Sequence, residues 1–352
     1  MRAGEKGCTM KPRSQPDTSP ALEQTLTRKP ALIIKAMPRT ATSPIRVVLE
    51  TKVPEHNPIL YKADATTDYV EGFAAIADCD LETYEQRGFL VIRGGLNPAE
   101  IEGARSELER MTLSEDPGCS EIYYEGSIRD HLPVQMSDDR KKNVDGASAS
   151  LALGAISQTL PDVQPRMRAR FVRKFQGFVQ QHPPLAATAL KSELIALVER
   201  LAQAPVRLFQ DMAMIKPAGG REKPWHQDHA YFNFPLETRI VGVWIALGRV
   251  TPENGCMFVL PGGHHQGPRI HFKRRDWQIC DQDILSHKQM ALPMDAGDIM
   301  IFHAKLPHGT PTNRTQENRW ALQYHYVPQD ARQVGDEARL AAFGSDGKGV
   351  TC

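Results

Sequence analysis

VRLFQDMAMI, residues 206–215, opens the part of the chain that decides the fold. From here onward, short apolar runs alternate with turns rich in Pro, Gly, Asn and Asp, a pattern typical of β-strands joined by tight connections. The further predicted strands are residues 240–247, 256–260, 289–293, 299–303 and 320–327. Several strands at this spacing indicate a mainly β sandwich or barrel, with flanking helices packed outside it.

The part of the chain before residue 206 predicts a mixture of helix and strand. The predicted strands are residues 45–50 and 89–92, and the predicted helices are residues 81–88, 99–111 and 187–202. Asn97 followed by Pro98 is an N-cap and first-turn signal for the second of these helices. Residues 114–146 carry turn-forming and charged residues with little periodicity, which predicts loop.

The composition is that of an ordinary globular protein, since 41% of the 352 residues are hydrophobic and 24% are charged. Because 43 Lys and Arg nearly balance 42 Asp and Glu, nothing favours a nucleic-acid partner. No run approaches the roughly 20 apolar residues that span a bilayer. Neither a secretory nor a carboxyl-terminal peroxisomal signal is seen. We therefore expect a cytoplasmic enzyme or binding module that acts on a small molecule, without a membrane partner.

The two ends of the chain differ from the middle. Residues 1–42 are rich in Pro, Ser and Thr and show no sustained periodicity, so we expect a disordered N-terminal arm. Residues 43–335 are expected to form one domain, followed by a C-terminal tail over residues 336–352. Six cysteines without a C-x-x-C pair match neither a zinc site nor a disulfide scaffold.

Residues 225–228, WHQD, contain a candidate metal-binding pair. In an extended segment the side chains of His226 and Asp228 point to the same face, so an imidazole and a carboxylate can bind one metal. A distant histidine would complete the 2-His-1-carboxylate triad, which suits Fe(II) and leaves positions open for a 2-oxo acid and O2. The alternative is a pair on a surface loop, since a chain with 12 histidines can contain one His-x-Asp by chance.

The preferred distant ligand is His308, which begins the run His308-Gly309-Thr310. Arg319 follows it at the start of a predicted strand. Arginine suits a planar two-point contact with a carboxylate, so a buried Arg319 can hold the far carboxylate of 2-oxoglutarate while the keto acid end chelates iron. The alternatives are His303 as the ligand and Arg319 as a solvated strand end.

Together with PGGH at residues 261–264, these motifs resemble the phytanoyl-CoA dioxygenase family over roughly residues 84–328. The resemblance implies a double-stranded β-helix (jelly-roll, cupin-like) core at about residues 205–328. It also implies iron(II) on His226, Asp228 and His308, with 2-oxoglutarate and O2 as co-substrates. The reaction implied is hydroxylation, or a related oxidation such as desaturation, of an unactivated carbon, with release of succinate and CO2. A small residue replaces the carboxylate ligand in halogenases of the family, so Asp228 favours hydroxylation over chlorination.

The resemblance implies cofactor-binding roles for four more residues. Lys174 resembles a family lysine near the co-substrate, and Trp244 and Thr310 match positions that line or hydrogen-bond it. Gln210 matches such a position less closely. The alternatives are a solvated helix charge for Lys174 and an ordinary strand core for Trp244.

Two sets of side chains are candidates for substrate contact. The aromatic candidates are Tyr231, Phe232 and Phe234, which either line the substrate mouth or pack the loop after the first ligands. Residues 264–275 form a basic loop that the resemblance places near the mouth. Arg274 and Arg275 are therefore predicted to meet an anionic substrate, a carboxylate or the phosphates of coenzyme A. The alternative is a solvated basic loop, and nothing in the sequence indicates the oligomeric state.

Two functions of other classes use the same residues. One is a cupin-like binding or sensing module without turnover, and the other is a zinc- or manganese-dependent hydrolase with the same triad. Both leave Arg319 and Thr310 without a role. No Ser-His-Asp nucleophile motif, phosphate-binding glycine loop or dinucleotide fingerprint competes. The sequence therefore favours the dioxygenase and leaves its substrate open.

Overall fold

The computed structural model describes residues 45–63, 65–131 and 164–344. The predicted N-terminal arm and the last residues of the predicted tail lie outside the described residues. The described strands are β1 (Arg46–Leu49), β2 (Ala65–Thr66), β3 (Val70–Glu71), β4 (Phe89–Arg93), β5 (Glu121–Tyr124), β6 (Val172–Gln176), β7 (Val206–Lys216), β8 (Lys223–His226), β9 (Val241–Ala246), β10 (Met257–Val259), β11 (His271–Lys273), β12 (Trp277–Ile279), β13 (Met290–Leu292), β14 (Ile299–His303), β15 (His308–Thr310) and β16 (Arg319–Pro328). The described α-helices are α1 (Asp78–Arg87), α2 (Pro98–Leu113), α3 (Pro165–Ala169), α4 (Pro183–Ala189), α5 (Ser192–Ala202), α6 (Asp281–Leu285) and α7 (Asp336–Phe343).

Most of these strands belong to two sheets. The larger has the strand order β1-β5-β6-β7-β16-β9-β14-β4-β3, and the smaller has the order β2-β13-β10-β15-β8. In the centre of the larger sheet β7, β16, β9 and β14 pair antiparallel, as do β13, β10, β15 and β8 in the smaller one. Two such sheets packed together form a double-stranded β-helix, so the predicted jelly-roll fold is confirmed.

The central strands are buried on both faces, and their side chains alternate between two apolar cores. In β9, Val243 and Ile245 join an outer core between the larger sheet and the helices α2, α4 and α5. Trp244 and Ala246, from the same strand, join an inner core between the two sheets. Every second side chain of a central strand therefore faces the space between the sheets.

Helices α1, α2, α4 and α5 cover the outer face of the larger sheet. Asn97 caps α2 as predicted, because its side chain accepts a hydrogen bond of 3.0 Å from the backbone N–H of Glu100. The single helix predicted over residues 187–202 is wrong, because α4 ends at Ala189 and α5 begins at Ser192. The hydroxyl of Tyr326, on the sheet, donates to the Ala189 carbonyl oxygen at 2.6 Å. In a longer helix this carbonyl oxygen would accept a hydrogen bond from a backbone N–H of the next turn.

The structure contains strands and a helix that the sequence pattern does not predict. β5 lies within residues 114–146, which were expected to be loop, and β6 carries Lys174. Both strands are too short and too polar for a clear two-residue period, yet they extend the larger sheet beyond β7. The predicted C-terminal tail begins with α7, whose Phe343 is fully buried. None of the helices in the described part of the chain has the length and hydropathy needed to cross a lipid bilayer.

Candidate metal centre

Two neighbouring strands of the smaller sheet bring the predicted metal ligands together. His226 of β8 lies directly opposite His308 of β15, and Asp228 follows in the 3-10 turn Asp228–Tyr231. Asp228 Oδ1 lies 3.2 Å from His226 Nε2 and 3.6 Å from His308 Nε2. One atom from each of the three side chains lies within 4.8 Å of the others, in a buried group that could hold a metal ion. His303, the alternative ligand, is outside this group, and its Nδ1 accepts a hydrogen bond from the Lys305 N–H.

Backbone carbonyl groups orient both histidine rings. His226 Nδ1 lies 2.7 Å from the Pro224 carbonyl oxygen, and His308 Nδ1 lies 2.9 Å from the Leu306 carbonyl oxygen. A carbonyl oxygen only accepts, so each Nδ1 carries the proton and each Nε2 offers a lone pair. Burial and the neighbouring His226 lower the pKa of His308 to about 4, which keeps its ring neutral. Neutral rings with a free Nε2 are what metal ligation requires.

The two oxygen atoms of Asp228 have different partners. Oδ1 faces the two ligand histidines, whereas Oδ2 accepts hydrogen bonds from His325 Nε2 at 2.8 Å and from Gln323 Nε2 at 3.1 Å. Burial alone would raise the pKa of the Asp228 carboxyl, but the neighbouring His308, His325 and His226 hold that pKa well below its usual range. The group is therefore an anion with one oxygen oriented by the protein and the other directed toward the histidines.

Gln323 and His325 are site residues that the sequence prediction misses. Both are buried on β16, the strand that begins with Arg319. Side chains two positions apart on a strand share a face, so all three point into the space between the sheets. The signal is present in the sequence as polar residues at even spacing within an otherwise apolar strand.

Arg319 is a buried cation without a carboxylate partner among the described residues. Its Nη1 donates to the Met214 carbonyl oxygen at 3.1 Å, and its guanidinium carbon lies 5.2 Å from the centre of the Trp244 ring. Its Nε has no hydrogen-bond partner among the described residues. Burial, followed by the nearby Arg173, lowers the pKa of Arg319 to about 9. A buried guanidinium is costly unless it is paired, so a ligand carboxylate would stabilise this arrangement.

Lys216 lies opposite Arg319 where β7 pairs with β16. Its ammonium donates to the Thr310 hydroxyl oxygen at 2.8 Å and to the Thr310 carbonyl oxygen at 3.2 Å. An ammonium can only donate, so the Thr310 hydroxyl accepts from Lys216 and keeps its own proton for another acceptor. Because Thr310 and Arg319 line the same cavity, an anion bound there would meet donors from both.

One cavity contains most of the predicted site residues. Those in its wall are His226, Asp228, His308, Arg319, Thr310, Trp244, Lys174, Gln210, Tyr231 and Phe232. Lys174 makes no ion pair with a described residue, and its ammonium lies 3.7 Å from the centre of the Tyr123 ring. Burial and the neighbouring Lys223 lower the pKa of Lys174 to about 8. The structure therefore places Lys174 on a strand in the cavity wall, not on a solvated helix.

The wall also contains a charged pair that the sequence did not indicate. Lys223 Nζ donates to Asp276 Oδ2 at 2.8 Å and to the Tyr231 hydroxyl oxygen at 3.0 Å. These contacts hold the Tyr231 ring at the cavity. Phe234, the third aromatic candidate, is not in the wall and instead packs against Phe209, with ring centres 5.3 Å apart. For Phe234 the structure favours the alternative expectation, packing of the loop after the ligands.

Arg274 and Arg275, the basic candidates for substrate contact, lie away from the triad. Neither lies in the wall of the cavity that contains the triad. Arg275 is buried, forms an ion pair with Glu222, and makes two hydrogen bonds of 2.7 Å with Asp281. Arg274 lies 3.7 Å from the same Asp281 carboxylate. Carboxylates of the chain already neutralise these arginines, and the sequence alone could not show that proximity.

The chain is similar to a family of known proteins. The model of the family described as Phytanoyl-CoA dioxygenase (PhyH) matches residues 84–321. Phytanoyl-CoA dioxygenase, peroxisomal, of Rattus norvegicus is 29% identical over 266 residues, which cover 71% of this chain and 68% of that protein. The methylphosphonate hydroxylase of Gimesia maris is 30% identical over 267 residues, which cover 74% of this chain and 83% of that protein.

Solved structures share the fold. The epimerase SnoN in complex with Fe3+, alpha ketoglutarate and nogalamycin RO has a TM-score of 0.52 at 20% identity, covering 74% of this chain and 86% of that chain. EctD from S. alaskensis with 2-oxoglutarate and 5-hydroxyectoine has a TM-score of 0.52 at 17% identity, covering 84% of this chain and 87% of that chain. At these identities the likeness concerns the fold alone.

Proposed function

The chain belongs to the phytanoyl-CoA dioxygenase family and is an iron(II)- and 2-oxoglutarate-dependent dioxygenase, and we propose which of its residues bind the metal and the co-substrate. We assign the iron to His226, Asp228 and His308, and the far carboxylate of 2-oxoglutarate to Arg319. The observation that carries the assignment is that the buried triad and an unpaired buried arginine share one cavity. The reaction oxidises an unactivated carbon of a small organic substrate and releases succinate and CO2.

The donor set of the triad fits iron(II). Two imidazole nitrogens and one carboxylate oxygen form the facial triad of non-haem iron oxygenases, which leaves positions open for a 2-oxo acid and O2. When bound, the metal supplies the oxidation chemistry. The protein supplies the geometry, because His325 and Gln323 hold Asp228 Oδ2 and leave Oδ1 facing the ligand histidines.

The surroundings of Arg319 support its role as the anchor for 2-oxoglutarate. A guanidinium can bind a carboxylate through two parallel hydrogen bonds, and Thr310 offers a further donor because Lys216 occupies its oxygen. The Trp244 ring lies beside the guanidinium and limits its movement. Lys174 and Gln210 lie in the same wall and are proposed to contact the co-substrate as well. The buried Oε1 atom of Gln210 has no hydrogen-bond partner among the described residues.

The rest of the cavity wall is suited to holding an organic substrate away from water. Met212, Met214 and Met257 line it together with Phe232 and the ring of Tyr231. Methionine side chains adapt to irregular apolar ligands, and a dry site strengthens the electrostatic contacts within it. We propose that Tyr231 and Phe232 contact the substrate.

Succinate release separates this function from the two alternatives. The purified chain is incubated with Fe(II), 2-oxoglutarate and O2, and succinate is measured, with Asp228→Ala as the matched inactive control. We expect succinate from the wild type and none from Asp228→Ala, which should stay folded because only a ligand side chain is lost. A binding module would form no succinate, and a hydrolase would not consume 2-oxoglutarate. Equal succinate from both proteins would contradict the iron assignment.

The substrate is proposed to be anionic, with an acyl-CoA thioester as the first candidate. The rat relative is named for phytanoyl-CoA and the Gimesia relative for methylphosphonate, and both compounds carry an anion centred on phosphorus. In this chain Lys174, which makes no ion pair with a described residue, contributes a cationic group to the cavity wall. Turnover of 2-oxoglutarate should rise above its basal rate with acyl-CoA or methylphosphonate. Stimulation by neutral compounds alone would contradict the proposal.

We also propose that the chain forms one domain and acts in the cytoplasm. A single domain over residues 43–335 is supported by the larger sheet, in which β1 from the beginning and β16 from the end of this range both lie. A cytoplasmic location was expected from the sequence, whereas the rat relative is named peroxisomal. Cell fractionation tests the location, and co-sedimentation of the chain with a peroxisomal marker would contradict the cytoplasmic expectation.

A further inference from the structure

Phe343, at the end of α7, packs behind the segment that carries the metal ligands. Its side chain is fully buried, with its ring centre 5.7 Å from that of His229 in a stacked arrangement. The ring centre of His271 lies 5.8 Å away, with the rings edge to face. His229 directly follows Asp228 in the chain. One aromatic ring of α7 thus touches the residue next to a metal ligand.

The second neighbour of Phe343, His271, holds the backbone between the two ligands of the His-x-Asp motif. His271 Nδ1 lies 2.8 Å from the Arg269 carbonyl oxygen, so Nδ1 donates, and Nε2 accepts the N–H of Gln227 at 2.9 Å. Burial lowers the pKa of His271 to about 3, which keeps Nε2 an acceptor. Phe343 therefore packs on the side chain that holds Gln227 in place.

Arg339, one turn earlier in α7, holds the turn that follows Asp228. Its Nε donates to Asn233 Oδ1 at 2.7 Å, and its Nη1 donates to the Ala230 carbonyl oxygen at 3.0 Å. Asn233 Nδ2 in turn donates to Asp336 Oδ1 at 2.8 Å, at the first residue of α7. Both residues proposed to contact the substrate lie between Ala230 and Asn233.

The helix itself depends on these contacts. With 8 residues, α7 is too short to be stable alone. Its C-terminal end sits tightly on the ligand-supporting strand β11, because a Cβ atom at Gly344 would lie 2.8 Å from the His271 carbonyl oxygen. The position of α7 and the position of residues 226–233 are therefore coupled by packing and by hydrogen bonds.

From this geometry we infer that α7 is a positioning element, which holds residues 226–233 in the arrangement that binds iron and receives the substrate. Phe343 and Arg339 are its positioning residues, and neither lies in the cavity wall. The inference rests on the proposed iron site and extends it to a helix outside residues 84–321, the part matched by the family model.

The first test measures hydrogen–deuterium exchange in the metal-free, full-length chain, so it does not depend on turnover. The variants are Phe343→Ala and Arg339→Ala, with Glu337→Ala as the control because Glu337 is an exposed residue of the same helix. We expect faster amide exchange over residues 226–234 in the two test variants, and wild-type exchange in β7 and throughout the control. Equal exchange in all four proteins would overturn the inference.

The second test measures the Fe(II) dissociation constant in the absence of oxygen. The absorption band that forms when 2-oxoglutarate is then added is recorded as well. We expect both test variants to bind Fe(II) several-fold more weakly, and Phe343→Leu, which keeps most of the apolar volume, to recover much of the loss. Arg339→Ala removes polar contacts at a partly exposed site, so it remains informative if Phe343→Ala does not fold. Wild-type affinity in folded variants of both residues would overturn the positioning role.

The two tests separate this inference from the function on which it rests. If the wild type binds no Fe(II) and forms no succinate, the proposed function fails, and the exchange experiment alone decides whether α7 positions residues 226–233. If the wild type binds Fe(II), faster exchange with unchanged affinity would overturn the inference while leaving the iron site intact.

Discussion

Among single residues, two buried arginines differ in whether a carboxylate of the chain neutralises them. Arg275 is buried and paired with two carboxylates, whereas Arg319 is buried and has none among the described residues. Burying a charge costs free energy unless it is compensated. The unpaired arginine is therefore the one expected to bind an external anion.

The first prediction is that Arg319→Leu weakens the binding of 2-oxoglutarate by about 10- to 100-fold, the range expected for a lost hydrogen bond to a charged group. Iron affinity should change little, because Arg319 contacts none of the three ligands. Both affinities are measured by anaerobic titration. Arg314→Leu is the control, since Arg314 forms an exposed pair with Glu55. Unchanged 2-oxoglutarate affinity in Arg319→Leu would place the anchor elsewhere.

The second prediction concerns the pH dependence that Lys174 should confer. Burial and Lys223 lower its pKa to about 8, so its ammonium is charged below this pH and neutral above it. An anion held by Lys174 should therefore bind less tightly as the pH rises through 8, by up to about tenfold, which corresponds to roughly 1.4 kcal/mol. The measurement is the dissociation constant of 2-oxoglutarate between pH 7 and pH 9. The change centred near pH 8 should be absent in Lys174→Met, where only the loss of charge on Arg319 toward pH 9 remains. A change centred near pH 8 that persists in Lys174→Met would assign it to another group.

At the scale of the elements, β16 joins the two halves of the site. Its inward face carries Arg319 at one end and, four and six residues further on, Gln323 and His325. Its outward face carries Tyr324 and Tyr326, whose hydroxyls hold α4. One strand therefore sets the distance between the proposed co-substrate anchor and the oriented carboxylate of Asp228.

The third prediction is that His325→Phe lowers Fe(II) affinity by about 10-fold or more, as is typical when a residue that supports a metal ligand is replaced. Asp228 Oδ2 would keep only its longer hydrogen bond, to Gln323. The control is Tyr326→Phe, which removes a hydrogen bond on the opposite face of the same strand. That variant should lose stability but retain its iron affinity. Equal iron affinity in His325→Phe and the wild type would show that Asp228 needs no such support.

The elements also show what the sequence could and could not predict. β9, β14 and β16 are long or strongly apolar, so their existence follows from composition and periodicity. β5 and β6 have only 4 and 5 residues with mixed polarity. β6 is a strand because the edge of β7 is available to it, and β5 in turn pairs with β6. Tertiary contacts override local preference in such segments.

Within the site, some side-chain positions likewise follow from the sequence, whereas others depend on tertiary contacts. The sequence could predict that His226, Asp228, His308 and Arg319 belong to one candidate site, because the motifs that contain them resemble those of the family in type and spacing. The pairing of Arg275 with Glu222 could not be predicted, because Glu222 lies 53 positions away and only the fold brings it close. The even spacing of His325 from Arg319 is visible in the sequence, but its hydrogen bond with Asp228 depends on the pairing of strands distant in the chain.

At the scale of the whole molecule, the two apolar cores separate stability from function. The outer core contains side chains of α1, α2, α4 and α5, such as Leu201, and the outward side chains of the larger sheet, such as Leu322 and Val243. The inner core and the metal centre share the space between the sheets. Substitutions in the outer core should therefore reduce stability without changing the site of the molecules that remain folded.

The fourth prediction is that Leu322→Ala lowers the free energy of unfolding by about 2–5 kcal/mol, the usual range for a buried leucine. Leu322 is fully buried in the outer core. Denaturant unfolding measures the loss, and succinate formation per folded molecule at low temperature should match the wild type. Met212→Ala is the comparison, because Met212 lines the cavity and its loss should alter turnover. A large loss of activity per folded molecule in Leu322→Ala would contradict this separation.

The Trp244 ring, which lies beside Arg319, makes the fluorescence of the protein sensitive to what the cavity binds. Trp244 is one of four tryptophans in the chain, and the others either adjoin or contact site residues: Trp225 precedes His226, Trp320 follows Arg319, and the Trp277 carbonyl oxygen accepts a hydrogen bond from Tyr231. Of the four, Trp244 lies in the wall of the cavity that contains the triad, so the part of the tryptophan emission that comes from Trp244 originates at the site. Occupancy of that cavity should change the intensity of this emission, so ligands can be screened by intrinsic fluorescence without attaching a dye.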